Sequence, residues 1–239
     1  MSTKLPGSLS VAAYGLFSES TTQAHQLGAY IESEDGRGYR YCKVGATALV
    51  VGNLQQGPAE VTNHQNLTAP ASAIGVTSVA VTLGATAATA NQYAEGWMVI
   101  SVTPGGGYQY KIKSHPAADA SASLTLTLED PIEVALTASS RIDLVASPYS
   151  AVIVNPSAAT SNAIGVAVNN IAASSFGWLQ TSGPAVCLAD GTVTVGTNVS
   201  ASNATAGAVE AAVTAQSAVG YAMSGIATTE FGAIYLTID

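Results

Sequence analysis

The chain has 239 residues and a formal net charge of −8, but only 9% of its residues are charged, compared with about 25% in typical soluble domains. It has seven Lys and Arg residues in all, and none follows Arg141. Nucleic-acid binding needs clustered cations to neutralise phosphates, so this composition excludes a DNA or RNA partner. No apolar run approaches the ~18 residues of a membrane span, and the first residues lack a signal-peptide pattern. We therefore expect a soluble protein that is made in a cytoplasm.

Residues 1–38 carry apolar side chains without a regular period, which predicts an extended arm rather than an amphipathic helix or strand. Left free, these side chains would lie in water, and burying a Leu or an aromatic ring is worth about 1.5–3 kcal/mol. We therefore predict that the arm binds a partner, and that the residues involved are Leu9, Tyr14, Leu16 and Phe17. The alternative is that the arm packs against its own domain.

Strand patterns begin within this arm and continue along the chain. Residues 28–54 have the pattern of a β-hairpin, with glycines at 36 and 38 that permit positive φ at the turn. Within 68–148, apolar and polar residues alternate at 97–102, 108–113 and 124–128, with shorter runs at 132–136 and 142–145. Alternation is typical of strands that bury one face. The glycine-rich residues 104–107 are typical of a hairpin turn, so this block predicts an antiparallel β domain.

An internal repeat is the most informative feature of the C-terminal part. Residues 164–179 and 219–234 align without a gap at an offset of 55, with six identical positions: Gly165/Gly220, Ala167/Ala222, Ile171/Ile226, Ala172/Ala227, Phe176/Phe231 and Gly177/Gly232. A looser similarity links residues 45–54 with residues 191–199. This indicates that 39–67 and 149–239 form one barrel-like β domain, into which 68–148 is inserted. For 208–218 a loop is favoured, and a helix is the alternative.

The predicted fold is therefore all-β. It is a small barrel-like domain (39–67 and 149–239) with an inserted antiparallel β domain (68–148) and an extended N-terminal arm (1–38).

No set of residues in the sequence indicates catalysis, a cofactor or a metal site. His25, His64 and His115 are far apart and lie beside turn-forming residues, so we expect His115 to be a solvated loop residue rather than a catalytic base. The chain has no Cys or His spacing typical of metal ligation and no Gly-x-Ser-x-Gly motif. We expect that the protein is not an enzyme.

The cysteines and tryptophans favour structural interpretations. Cys42 and Cys187 lie in apolar, strand-like surroundings, which favours two buried free thiols and leaves a disulfide as the alternative. Trp97 and Trp178 both fall in strand patterns, so they are predicted to anchor a core or an interface rather than to bind a carbohydrate.

Two parts of the sequence resemble capsid decoration (cement) proteins of tailed double-stranded DNA bacteriophages. One is Tyr41-Cys-Lys-Val-Gly-Ala-Thr-Ala-Leu-Val-Val-Gly-Asn-Leu, and the other is the series Gly165-Val-Ala, Gly177-Trp-Leu-Gln, Gly183-Pro-Ala-Val, Asp190-Gly, Val195-Gly and Val219-Gly-Tyr-Ala. The likeness covers the N-terminal hairpin and most of 149–239.

The resemblance implies a small β fold, usually trimeric, that binds neighbouring capsid subunits with an N-terminal arm. The expected partners are then other copies of the chain, as a homotrimer, and the major capsid protein, and the expected location is the outer surface of the virion. The alternative function is a receptor- or glycan-binding module of a phage tail or surface adhesin, which would need exposed aromatic side chains on loops.

Overall fold

The computed structural model describes residues 15–213 and 216–239 and confirms the all-β prediction. These residues form sixteen strands and one 3-10 turn at Thr62–His64, and they contain no α-helix. The chain divides into two compact units, Met1–Pro58 with Pro148–Asp239, and Ala59–Ser147. The junctions therefore lie at 58/59 and 147/148, compared with the predicted 67/68 and 148/149.

The unit Ala59–Ser147 is a closed, six-stranded antiparallel barrel. Its strands are β4 (Leu67–Thr68), β5 (Ser78–Thr82), β6 (Trp97–Val102), β7 (Gln109–Ser114), β8 (Ser123–Leu128) and β9 (Arg141–Val145). Around the barrel the order is β4-β5-β8-β7-β6-β9, and β9 pairs back to β4. Burial alternates strictly along β8, where Leu124, Leu126 and Leu128 point into the core, as the period of two in the sequence predicts.

The inserted segment is antiparallel, as predicted, and it also closes into a barrel, which the alternation in the sequence does not specify. One expectation for this segment is corrected. The predicted strand at 132–136 does not form, because its residues run against the barrel core without a partner strand. Ile132 and Leu136 are both buried there, and only Leu136 makes an isolated bridge, to Ser72.

The flanking segments form a ten-stranded sheet. Its strands are β1 (Tyr30–Glu32), β2 (Gly38–Lys43), β3 (Leu54–Gln56), β10 (Ile153–Val154), β11 (Ala163–Ala167), β12 (Phe176–Leu188), β13 (Asn198–Ala201), β14 (Val209–Ala211), β15 (Ala218–Ala222) and β16 (Phe231–Thr237). The predicted hairpin is present as β1 and β2, with Tyr30 opposite Arg40. Within 208–218, residues 209–211 and 218 are strand, which neither alternative anticipated, whereas 212–213 and 216–217 are loop, as favoured, and no described residue of this range is helical.

This sheet contains the same five-strand unit twice. The first repeat comprises β2, β3, β10, β11 and the first half of β12 (176–182). The second repeat comprises the second half of β12 (183–188), β13, β14, β15 and β16. In each repeat the first strand pairs with the fifth, the second with the third and fourth, and the fourth with the fifth, always antiparallel. Strand β12 therefore ends one repeat and begins the next without a break.

The backbone irregularities are duplicated as well. The second and fourth strands of both repeats show a register shift at the equivalent place, between 163 and 165 and between 218 and 220. Gly52 and Gly196 occupy equivalent turns with φ of 78° and 81°, and Ser174 and Thr229 occupy another pair with φ of 61° and 64°. Positive φ is unfavourable for a β-branched residue such as Thr, so the fold itself must impose this turn.

The two repeats also have equivalent cores. Each of the eight buried residues in the core of the first repeat has a buried counterpart in the second: Cys42/Cys187, Val44/Ala189, Leu49/Val193, Val152/Val209, Ile164/Val219, Ala167/Ala222, Ile171/Ile226 and Leu179/Ile234. The sequence repeat at an offset of 55 is therefore the C-terminal part of a duplication that covers the whole five-strand unit. The inserted barrel lies between the second and third strands of the first repeat, where the second repeat has only residues 202–208.

Candidate interaction surface

In the first repeat, the outer face of the first and fifth strands is covered by the chain that precedes them. This face carries four aromatic rings, of Tyr39, Tyr41, Phe176 and Trp178, and none of these residues is more than 7% exposed. The Tyr41 ring lies with its centroid 5.1 Å from that of Trp178 and stacks on Phe176 at 6.0 Å. The covering side chains are Leu16, Leu27, Ala29 and Ile31.

This covering segment, residues 16–31, also hydrogen-bonds to the edge of β2. The N–H of Tyr41 donates to the carbonyl oxygen of Ala29 at 3.0 Å, and the N–H of Gly28 donates to the carbonyl oxygen of Tyr41 at 2.8 Å. The segment therefore buries apolar side chains and pairs with a strand edge at the same time, as a strand added to a sheet does.

The four residues predicted to bind a partner have different positions. Leu16 is 1% exposed and belongs to the core beneath the covering segment, so it packs against its own chain and leaves no surface for a partner. This corrects the prediction for Leu16, because the aromatic face of β2 and β12 offers it an apolar site close by in the same chain. Phe17 is 59% exposed. Leu9 and Tyr14 lie outside the described residues, and for these three the prediction stands untested.

The equivalent face of the second repeat is open. The counterparts of Tyr39, Tyr41, Phe176 and Trp178 are Pro184, Val186, Phe231 and Ala233. Val186 is 57% exposed and Phe231 is 55% exposed. The topology explains the difference, since the first strand of the second repeat continues directly from the preceding strand and has no separate segment before it to act as a cover.

These residues form the floor of an apolar groove, termed here the second-repeat groove, with a volume of about 490 Å³. Phe17, Val51 and Val168 are among its other lining residues, and Arg37 is the one charged residue among the described residues that line it. The Arg37 guanidinium is engaged by the Asp35 carboxylate at 2.8 Å. The groove is therefore a surface for an apolar ligand rather than for an ion.

The groove also contains an open strand edge. In the second repeat, Val186 takes the place of Tyr41, so its N–H and C=O face away from β16. In the described part of the chain, β16 is the only strand that pairs with residues 183–188, and no turn or loop backbone group forms a hydrogen bond with Val186. Pro184, two residues earlier on the same edge, has no N–H to satisfy, as is usual for proline at a sheet edge.

A second groove, with a volume of about 520 Å³, is polar. Amide and hydroxyl side chains line it, among them Asn155, Asn162, Ser202 and Gln216, and none of the described lining residues is aromatic or charged. Asn155 is 1% exposed, and its Oδ1 atom has no hydrogen-bond partner. This surface can accept and donate hydrogen bonds, but it offers no ring on which a sugar could stack.

The barrel brings together two histidines that are far apart in the sequence. His64 and His115 lie on either side of Tyr93, with ring centroids 5.6 Å and 5.8 Å from the tyrosine ring. The Tyr93 N–H donates to His115 Nε2 at 3.0 Å, so the proton of neutral His115 lies on Nδ1, 2.7 Å from the carbonyl oxygen of Pro116. His115 is only 4% exposed, which contradicts the expected solvated position, and its burial lowers its pKa.

Both ring nitrogens of each histidine have a partner within the chain. His64 is fully buried, and its two ring nitrogens contact the Tyr93 hydroxyl and the carbonyl oxygen of Thr86. The cluster is therefore a set of buried, hydrogen-bonded polar groups packed around Tyr93 of the barrel core.

Both cysteines are free and buried, as the sequence favours, and they occupy equivalent positions in the two repeats. Burial raises the pKa of each thiol to about 12. Neither thiol is therefore a nucleophile at neutral pH.

The described residues contain no group of three or more His, Cys, Asp or Glu side chains that could hold a metal ion. They also contain no helix long and apolar enough to cross a membrane. Comparison of the chain with protein-family models, with curated proteins and with solved structures gives no match. The second-repeat groove remains the feature that most clearly distinguishes one part of the surface from the rest. The groove was not predicted from the sequence, in which the alignment of Phe231 with Phe176 is the one sign of it.

Proposed function

We propose that this chain is a structural protein that assembles with copies of itself, as a homotrimer, and binds the major capsid protein on the outside of a phage capsid as a decoration protein. The observation that carries the proposal is the character of its surface. The chain exposes 11260 Å² and has 22 charged side chains in all. Its exposed large apolar residues include Phe17, Val51, Val186, Val195 and Phe231, each at least 45% exposed. Such a surface favours association over a free monomer.

The resemblance at 41–54 and 165–222 supports the choice of a capsid as the lattice. The fold is suited to this task, because duplicated strand registers and two well-packed cores make a rigid scaffold whose outer faces can differ. The exposed faces of the two repeats do differ in this way, since one is covered by the chain itself and the other is open.

The alternative function, a receptor- or glycan-binding module, is favoured by the polar groove around Asn155 and Gln216. Carbohydrate sites usually combine such groups with an exposed ring. The exposed Tyr108 lies on the inserted barrel and stacks on Tyr110, and it is not part of that groove. The alternative therefore ranks second.

Two measurements test the proposal. Light scattering coupled to size exclusion should give a mass near three times the 23.9 kDa of the chain. The purified protein should also co-sediment with capsids assembled from the major capsid protein of the genome that encodes it, and the bound amount should saturate. A chain that stays monomeric at tens of micromolar and does not sediment with those capsids would refute the proposal. Saturable binding to a glycan array without capsid binding would favour the alternative.

A further inference from the structure

The duplication shows what kind of ligand the second-repeat groove lacks. In the first repeat, an extended segment lies across the equivalent face, buries Tyr41 and Phe176, and hydrogen-bonds to the edge of β2 through residues 28 and 29. In the second repeat, Val186 and Phe231 are exposed at the same positions and the same edge is open. An exposed apolar strand edge is a template for pairing with another extended chain. The ligand that fits is therefore an extended, apolar peptide segment.

The chain has an apolar stretch of this composition outside the described residues. Residues 1–14 contain Leu5, Leu9, Val11 and Tyr14 and a single charged side chain, Lys4. In an extended strand Leu9 and Val11, two residues apart, would face the same side. Fourteen extended residues span up to about 46 Å, and the described chain begins at Gly15, two residues before Phe17 on the groove wall. The segment starts beside such a groove and has ample reach.

We propose that residues 1–14 of one copy bind in the second-repeat groove of a neighbouring copy, where they pair with the edge at Val186 and cover Phe231. This inference rests on the proposed self-assembly, which is why the donor is assigned to a neighbouring copy. Each chain then has one donor segment and one open acceptor groove, because residues 16–31 of the same chain already fill the first. A head-to-tail contact of this kind closes into a ring when the rotation between copies permits, and a trimer is one such ring.

The buried native thiols make a clean test possible. Cys42 and Cys187 are fully buried, with pKa values raised to about 12, so a single new cysteine reports on its own surroundings. Val51→Cys places a thiol in the groove at a residue that is 45% exposed. Val195→Cys is the matched control, since Val195 is the equivalent residue of the second repeat, is 68% exposed and does not line the groove.

The rate of reaction with a maleimide is measured for both variants in the full chain and in a chain that lacks residues 1–14. At high concentration we expect the Val51→Cys thiol to react at least about tenfold more slowly in the full chain than in the truncated chain. The reason is that only the fraction of grooves not occupied by residues 1–14 exposes this thiol to the maleimide. Dilution should restore fast reaction. The control Val195→Cys should react equally in both chains. A synthetic peptide of residues 1–14 should slow the reaction of the truncated Val51→Cys variant.

Mixing assigns the donor to a chain. The truncated Val51→Cys variant is mixed with an unlabelled full chain carrying Phe231→Asp, which keeps its donor segment but has a damaged groove. If the truncated Val51→Cys thiol reacts more slowly with maleimide only in the mixture, residues 1–14 of one copy bind the groove of another. If the Val51→Cys thiol of the full chain stays slow to react on dilution, the segment folds back on its own groove, and this overturns the proposal.

Failure of this inference can be separated from failure of the proposed function. A trimer in which Val51→Cys reacts as fast in the full chain as in the truncated one overturns the groove assignment and leaves self-assembly intact. A chain that is monomeric at every concentration, in which the Val51→Cys thiol is not protected from maleimide, overturns both the groove assignment and the proposed self-assembly.

Discussion

The sharpest test of the covering segment compares two adjacent residues, Leu16 and Phe17. Leu16 is 1% exposed in the cluster that contains Tyr41 and Trp178, whereas Phe17 is 59% exposed. Replacing a buried Leu by Ala costs about 2–5 kcal/mol through lost burial and the cavity that remains. Replacing a mostly exposed residue usually changes stability by less than about 0.5 kcal/mol. The smaller side-chain change, Leu16→Ala, is therefore expected to have the larger effect on stability.

Differential scanning calorimetry of both variants and the parent chain measures this difference. For a unit of this size a loss of about 3 kcal/mol lowers Tm by roughly 6–12 °C. We expect that shift for Leu16→Ala in the transition of the duplicated sheet, and a shift of at most about 2 °C for Phe17→Ala. Equal shifts for the two variants would refute the claim that the residues after Gly15 form part of the core, and would return Leu16 to the set of partner-binding candidates.

Three further predictions concern the barrel, the repeat and the thiols. Burial lowers the pKa of His115, so the folded barrel favours the neutral imidazole. The stability that depends on neutral His115 is complete above the unfolded pKa of about 6.5 and is lost as pH falls through and below that value. His115→Gln should therefore flatten the dependence of the barrel Tm on pH between about 7 and 5. Gly232→Ala should destabilise the sheet, because a Cβ there would lie 2.3 Å from Ile226 Cγ1, whereas Gly225→Ala, with no atom nearer than 4.0 Å, should change Tm little. The two native thiols should react with a disulfide reagent only after denaturant is added, as read from absorbance.

The sequence was sufficient to predict the fold class and the short-range pairing. Alternation at 124–128 identifies β8 because strand faces alternate whatever the partner strand is. Gly36 marks the turn between β1 and β2, where its φ is 81°, whereas Gly38 already belongs to β2. Residues 132–136 show the limit of this approach. An apolar run bounded by a proline has the same pattern whether it joins a sheet or lies against a core, and only the positions of the other strands decide between the two outcomes.

The second-repeat groove was harder to predict, because it depends on the absence of a covering segment beside the second half of β12. The alignment of Phe176 with Phe231 shows equivalent positions, but it does not show that one ring is covered and the other exposed. That difference arises because β12 passes from one repeat to the next without a connecting segment. His115 illustrates the same limit. Its neighbour Pro116 indicates a loop, while its burial depends on the distant residue Tyr93.

The position of the inserted barrel has a consequence for how this chain can be altered. In the second repeat, the connection between the second and third strands has seven residues (202–208), whereas in the first repeat it contains residues 59–147. The strand registers on either side of the connection are equivalent in the two repeats. The two chain ends that flank the insertion are in contact, since a Cβ on Gly57 would lie 2.6 Å from the carbonyl oxygen of Pro148. Adjacent ends of this kind tolerate the exchange of one folded domain for another. This junction is therefore a permissive site for displaying a foreign domain, and the mostly exposed residues 203–206, at the tip of the hairpin between β13 and β14, are a second.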